Sequence, residues 1–263
     1  MQTTTQLTPD FLKAFEIAEV IEQKPRSGQK QVYIVKINDE IVALKIIPFI
    51  DARIERELKI CEEFRENPGI PNLLAVKQYG DESVILEEFI AGSGLHLIAG
   101  EFKNNSTKVR NLIYDIASIL RPIWEKGYVH RDIKPLNLII KDDGNPVVLD
   151  FGIAMDVDGT SITPSGVRVL TWRYGSPEQF FYKSELIDYR TDFFCLGIIA
   201  YFLYTGGFPF GDTEVAVATR FQQDQIVFNL DDAPITNFLN KVLKFNVAER
   251  PRTFDAFIKS LGL

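Results

Sequence analysis

Along this chain the apolar residues change their period. Between residues 17 and 47 they fall in short β-prone runs alternating with polar positions. That pattern predicts an antiparallel meander, with strands over 31–37 and 41–47 joined at Asn38 and Asp39. Residues 1–8 are polar, and Thr8, Pro9 and Asp10 predict the start of a short helix running to Phe15. Residues 51–65 switch to helical spacing, with Ile54, Leu58, Ile60, Cys61 and Phe64 on one arc. One more apolar strand is predicted over 84–90, closed by Ala91, Gly92, Ser93 and Gly94, the expected boundary between two halves of the chain.

Beyond that boundary helices dominate. Residues 106–126 carry Val109, Leu112, Ile113, Ile116, Leu120 and Ile123 at helical intervals, and 192–204 are apolar nearly all round, which predicts a buried central helix. Gly206 and Gly207 stop it. Between these helices, 138–140 and 147–149 read as strands of a hairpin, because Asp142, Asp143, Gly144, Asn145 and Pro146 between them are turn formers.

The candidate chemistry lies where charge interrupts these patterns. Lys45 is the sole charge in the apolar run 41–47. A buried ammonium is costly unless paired, so it either has an acidic partner or snorkels from the strand end. Glu57 falls near the middle of the apolar arc of 51–65 and is the expected partner, whereas Glu55, Glu62 and Glu63 lie on the solvated side. A hairpin over 138–149 folds its outer ends together, placing Asn137 beside Asp150. An amide oxygen and a carboxylate converging there suit Mg²⁺. Asp132 lies on the same loop, close enough to orient a nucleophile, and Lys134 could neutralise phosphate charge.

Composition narrows the partners. The chain has 263 residues, 46% hydrophobic and 25% charged, ordinary proportions for a globular protein. A net charge of −7 argues against a general nucleic-acid or anionic-membrane binder, since neither offers a counter-charge. The start has no basic and apolar signal-peptide pattern, and the longest apolar stretch is too short for the roughly twenty residues of a membrane span. Cys61 and Cys195 both sit in apolar segments, suggesting neither a disulfide framework nor a thiolate metal site, so a reducing cytoplasm is expected.

The run His130-Arg131-Asp132-Ile133-Lys134-Pro135-Leu136-Asn137 resembles the catalytic loop of eukaryotic-type protein kinases, and Asp150-Phe151-Gly152 resembles their magnesium-binding motif. Val42-Ala43-Leu44-Lys45 resembles the strand whose lysine holds the α- and β-phosphates and pairs with a helix glutamate, a role carried here to Lys45 and Glu57. The resemblance, extending over about residues 15–260 and leaving no room for a second domain, implies an α+β, two-lobed fold. Its antiparallel-sheet N-lobe would end near residue 88, with a hinge at 88–92 and a helical C-lobe over 93–263. Activity as an ATP-dependent serine/threonine protein kinase is implied, with Mg²⁺, or Mn²⁺, as the metal and a protein hydroxyl as acceptor.

Residue by residue, the resemblance makes Asp132 the group that accepts or orients the substrate proton, Lys134 a γ-phosphate ligand, and Asn137 and Asp150 the metal ligands. Gly28, Val32, Ala43, Glu88, Ile90 and Ile139 become nucleotide contacts, with backbone groups of Glu88 and Ile90 on the adenine edge and Glu87 in the gatekeeper position. The glycine-rich loop departs from the family: its three glycine positions fall on Pro25, Ser27 and Lys30, and Gly28 alone remains. Arg26 or Lys30 could supply side-chain charge instead, or the segment is a plain polar turn. Arg131 would grip a phosphate placed on Thr160, Ser161, Thr163 or Ser165. Ser176-Pro177-Glu178 stands for the end of the activation segment, with Glu178 expected to pair with Arg250 and Asp192 to brace the catalytic loop. Lys134 together with Thr171 favours Ser/Thr over Tyr acceptors. His130 is expected beneath the loop and His96 near the hinge surface. The plain domain looks bacterial. Two competing readings are a pseudokinase scaffold, suggested by the degraded glycine loop, and a small-molecule kinase.

Overall fold

The computed structural model describes residues 7–25, 30–151, 155–156, 172–223 and 226–263. The chain divides into two compact units, Met1–Ala91 and Gly92–Leu263.

The first unit is a five-stranded antiparallel sheet with two helices. Helix α1 (Pro9–Ala14) precedes strands β1 (Ile17–Gln23), β2 (Gln31–Ile37) and β3 (Glu40–Ile47); α2 (Ala52–Glu63), β4 (Leu73–Tyr79) and β5 (Glu82–Glu88) follow. The sheet order is β1-β2-β3-β5-β4. Asn38 and Asp39 join β2 to β3 with φ of 49° and 67°, the paired left-handed conformation of a tight hairpin turn, which these residue types tolerate. Thr8 caps α1 through its hydroxyl, and Asp51 Oδ1 accepts the Ile54 N–H at 3.0 Å to start α2.

The two faces of this sheet differ in chemistry. Tyr33, Val35, Val42, Leu44, Ile46, Val84 and Leu86 form one buried apolar face with Phe11 and Phe15. Those two rings stack at 4.5 Å, and Phe11 meets Tyr79 edge-on at 4.8 Å. On the other face Ile47 and Ile85 pack with Ile54 and Leu58 of α2. Period-two alternation therefore sends Lys45 toward the α2 side, as its place in the strand predicts.

The second unit is mainly helical. It contains β6 (Ser93–Gly94), α3 (Leu95–Ile98), α4 (Ser106–Glu125), β7 (Tyr128–Val129), β8 (Leu138–Ile140), β9 (Pro146–Val148) and β10 (Met155–Asp156). Helices α5 (Pro177–Phe180), α6 (Tyr189–Thr205), α7 (Glu214–Phe221), α8 (Ala233–Val242) and α9 (Phe254–Leu261) complete it. The core runs along α6, where Phe193, Phe194, Leu196, Ile198 and Ile199 are fully buried. Phe193 stacks on Phe257 at 4.3 Å and meets Trp124 edge-on at 5.1 Å. Gly197 lets the α8 end approach: a Cβ there would lie 2.7 Å from Val242 Cγ2 and 2.8 Å from Leu243 Cδ2. Helix α6 begins at Tyr189, capped by Asp188, one turn before the apolar run from which its start was predicted. Gly206 ends it with φ 81°.

Candidate active site

The β8–β9 hairpin brings together the chain ends that carry Asn137 and Asp150. Its register is Leu138↔Val148, Ile139↔Val147 and Ile140↔Pro146, so β9 starts one residue earlier than predicted and releases Leu149. Leu149 N–H instead donates to Asn137 O at 2.8 Å, tying together the two chain ends that carry Asn137 and Asp150. Asp150 is exposed and holds φ 63°, a strained conformation that aspartate tolerates, while the next residue, Phe151, is buried.

Asp132 is gripped from two sides. Lys134 Nζ lies 2.7 Å from Asp132 Oδ2, and Asn137 Nδ2 donates to the same oxygen at 3.0 Å and to Asp132 O at 2.9 Å. Both donor bonds of the Asn137 amide thus go to Asp132, which leaves Oδ1 as the atom a cation could take. Burial pushes the Asp132 carboxyl above its ordinary value; the Lys134 charge and hydrogen bond and the nearby His130 ring pull it back, and the Asp150 charge raises it. His130 is fully buried, with Nδ1 accepting from Asp132 N–H at 3.2 Å and Nε2 facing Leu149 O at 3.2 Å. That bonding assigns the ring proton to Nε2 and makes His130 a loop support packed on Phe151, with ring centroids 4.7 Å apart.

Asp192 braces the loop from below. Its Oδ2 accepts from Trp124 Nε1 and from His130 N–H, each at 2.8 Å, and its Oδ1 accepts from Arg131 N–H at 2.9 Å. Gln179 Nε2 donates to Arg131 O at 2.6 Å, so the left-handed Arg131 backbone, φ 69°, is held on both sides. Burial is the largest influence on the Asp192 carboxyl and lifts it above its ordinary value, against these three donors and the nearby His130 ring. Glu178 pairs with Arg250 through two bonds, 2.7 Å to Nη1 and 2.8 Å to Nη2.

In the first unit Lys45 has the predicted partner and a nearer one. Its Nζ lies 3.2 Å from Glu57 Oε1 and 2.7 Å from the Glu87 carboxylate. Lys30 Nζ takes the other oxygen of Glu57 at 2.7 Å. Glu57 and Glu87 are buried. Lys30, one of the two cations that could replace the missing loop glycines, engages Glu57, because β2 begins at Gln31 beside β3 and carries Lys30 over the α2-facing side. Cys61, beside this cluster, has its thiol pushed up to about 12, first by burial and then by the Glu87 and Glu57 charges.

Val32 pairs opposite Lys45 and Ala43 opposite Ile34, both half-buried on the Lys45 face. Glu88 N–H donates to Asn72 O at 2.9 Å and its carboxylate accepts from Asn72. Ile90 follows β5 and is half-buried, as is Ile139 on β8. Gly28, Arg26, Gly152, Thr160, Ser161, Thr163, Ser165 and Thr171 lie outside the described residues. Among the described residues no three His, Cys, Asp or Glu side chains form a metal cluster, and no helix is long and apolar enough to cross a membrane.

The protein kinase domain family matches residues 18–260. The chain belongs to that family. The kinase domain is 30% identical over 247 residues to the serine/threonine-protein kinase pkn3 of Myxococcus xanthus, covering 83% of this chain and 44% of that protein. It is 31% identical over 206 residues to the serine/threonine-protein kinase PrkC of Bacillus subtilis, covering 74% and 32%. A probable serine/threonine-protein kinase of Clostridium perfringens is 35% identical over 163 residues, covering 61% and 24%. The chain thus spans between about a quarter and under half the length of these relatives. Family membership implies use of ATP and a divalent metal in general, and the hard oxygens of Asn137 and Asp150 fit such a cation.

Proposed function

We propose that this kinase domain transfers the γ-phosphoryl group of Mg-ATP to a serine or threonine hydroxyl of a protein, itself included. The observation that carries the reading is the Asp132 carboxylate, held on one oxygen by Lys134 and Asn137 in a loop braced by Asp192. Asp132 orients the acceptor hydroxyl and takes its proton through the less engaged Oδ1. Lys134 follows the charge of the transferred group, and Lys45, positioned by Glu57, holds the α- and β-phosphates. Asn137 Oδ1 and Asp150 would hold Mg²⁺, which when bound spreads the charge on the phosphoryl oxygens. Phosphoryl transfer asks little covalent chemistry of the protein, so fixed charges at these positions are the main contribution. Nothing in the relatives or in this geometry favours the scaffold reading.

The protein substrate carries a neutral or basic surface in this proposal, given the acidic charge of −7. The buried, free thiols of Cys61 and Cys195 fit a reducing cytoplasm. The test is the intact mass of purified protein before and after incubation with ATP and Mg²⁺, alongside Asp150→Ala, with transfer to a generic basic protein followed in parallel. Mass steps of one phosphate that vanish in the variant are expected. No transfer to either acceptor by the unmodified chain sinks the reading. Repeating the assay with Mn²⁺ establishes which metal supports the faster transfer.

A further inference from the structure

The α2-facing side of the five-stranded sheet carries more charge than one lysine–glutamate pair needs. Lys45 pairs opposite Ile85 in the β3–β5 ladder, so Glu87, two residues along β5, shares its face. Ala43 is the small residue opposite Glu87, and a diagonal neighbour of this kind lies within reach of long side chains. Lys30, two residues before Val32, comes to the same face, because Val32 is also opposite Lys45. Glu57 arrives from α2. Two ammonium groups and two carboxylates thus form one chain: Lys30 to Glu57 at 2.7 Å, Glu57 to Lys45 at 3.2 Å, and Lys45 to Glu87 at 2.7 Å.

We propose that Glu87 is a competing carboxylate on Lys45 that weakens nucleotide binding, and that Lys30 offsets it by engaging the far oxygen of Glu57. This rests on the reading of Lys45 as a phosphate ligand. A nucleotide triphosphate is a polyanion, and its attraction to Lys45 depends on the summed charge of the group. Glu87 adds one negative charge beside Lys45, and Lys30 adds one positive charge on the far oxygen of Glu57. Glu87 is only 6% exposed and is the nearer acid, so its repulsion of phosphate is poorly screened. Glu87 and Lys30 are therefore positioning residues of opposite sign that set ATP affinity through Lys45.

The experiment is calorimetric titration of the full chain with Mg-ATP. Glu87→Gln removes one negative charge beside Lys45 and is expected to tighten Kd by about three- to tenfold, the range of an interaction near one decade in affinity. Lys30→Gln removes one positive charge and should weaken Kd by a similar factor. The double variant, with no net change of charge, should return to within about twofold of the parent, since opposite changes at one site cancel in sum. A merely structural Glu87 would not give tighter binding when removed. Unchanged or weaker binding by folded Glu87→Gln, with the parent binding normally, overturns the inference and leaves the kinase reading standing. If Glu87→Gln does not fold, as judged by circular dichroism, Lys30→Gln decides: weaker binding supports the inference and unchanged binding overturns it. Failure of the parent chain itself to bind Mg-ATP overturns the underlying reading.

Discussion

Two buried ionic networks, one in each unit, use the same residue chemistry to different ends. Glu178 and Arg250 in the second unit are 2% exposed each, and their bidentate pair is surrounded by further partners. Thr191 Oγ1 donates to Glu178 at 2.7 Å, Arg250 Nε donates to Lys244 O at 2.8 Å, and the guanidinium lies 4.6 Å from the Phe194 ring centre. The planar fork of arginine fits that saturation, and every contact makes the pair harder to exchange. In the first unit the side chains of Lys45 and Lys30 keep 15% and 20% of their surface accessible, and two carboxylates contend for one ammonium. A point charge on a flexible stem can change partners. The saturated pair ties α5 to the segment before α9, whereas in the proposed function the contended one receives an incoming anion.

Breaking the saturated pair is expected to give the largest loss of stability. Arg250→Met strands a buried Glu178, and removing one member of a buried pair typically costs about 3–5 kcal/mol. For a domain of this size that corresponds to a melting temperature lowered by roughly 10 °C. Thermal unfolding followed by circular dichroism measures it. A shift of only a degree or two would mean that the pair is not what holds this corner of the unit.

Lys45→Met sharpens the contrast from the other side. Removal of a preorganised charge from a transfer site lowers the rate by about 10²–10³. Glu57 keeps Lys30 in that variant and the buried Glu87 loses its Lys45 partner, so the melting temperature should fall, but by less than in Arg250→Met because the Lys45 side chain is 15% accessible and the cluster is less fully desolvated. Transfer rate and unfolding are to be measured on the same preparations. Equal melting losses in the two variants would show that the first-unit cluster is structural cement after all.

How far each network was legible in the sequence follows from how it is encoded. Lys45 stood out because one charge broke a strand's apolar period, and Glu57 because one carboxylate sat inside a helix's apolar arc. The hairpin bringing Asn137 and Asp150 together was readable from turn residues between two β-prone runs. Glu178 with Arg250, and Asp192 under the loop, came from the resemblance, since residues so distant in sequence leave no local periodic signal. Glu87 was placed by resemblance but not recognised as an ion partner. Its side is known only once β3 and β5 are paired with Lys45 opposite Ile85, and that register is a tertiary fact. Trp124 and Gln179 were missed for a related reason. They act through hydrogen bonds to Asp192 and to a backbone carbonyl, which no spacing rule announces.

The smallest expected effect tests whether Lys134 also belongs to the exchangeable kind. Asp132 accepts a proton in the proposed reaction only when ionised, so transfer falls as pH drops through its pKa. Burial holds that pKa above the ordinary aspartate value, and the Lys134 charge and hydrogen bond are the next-largest influences, both lowering it. Lys134→Ala removes both, so the carboxyl should titrate higher still. The acid limb of the kcat–pH profile, measured with saturating Mg-ATP and a protein acceptor, is therefore expected to move to higher pH. Lys134→Arg keeps the charge beside Oδ2 and should leave the limb near its original position, even if the plateau rate falls through altered phosphate contact. A limb that stays fixed, or moves to lower pH, in Lys134→Ala would remove Lys134 as the counter-ion that keeps Asp132 ionised. It would leave Asn137 as the group that holds the carboxylate in place.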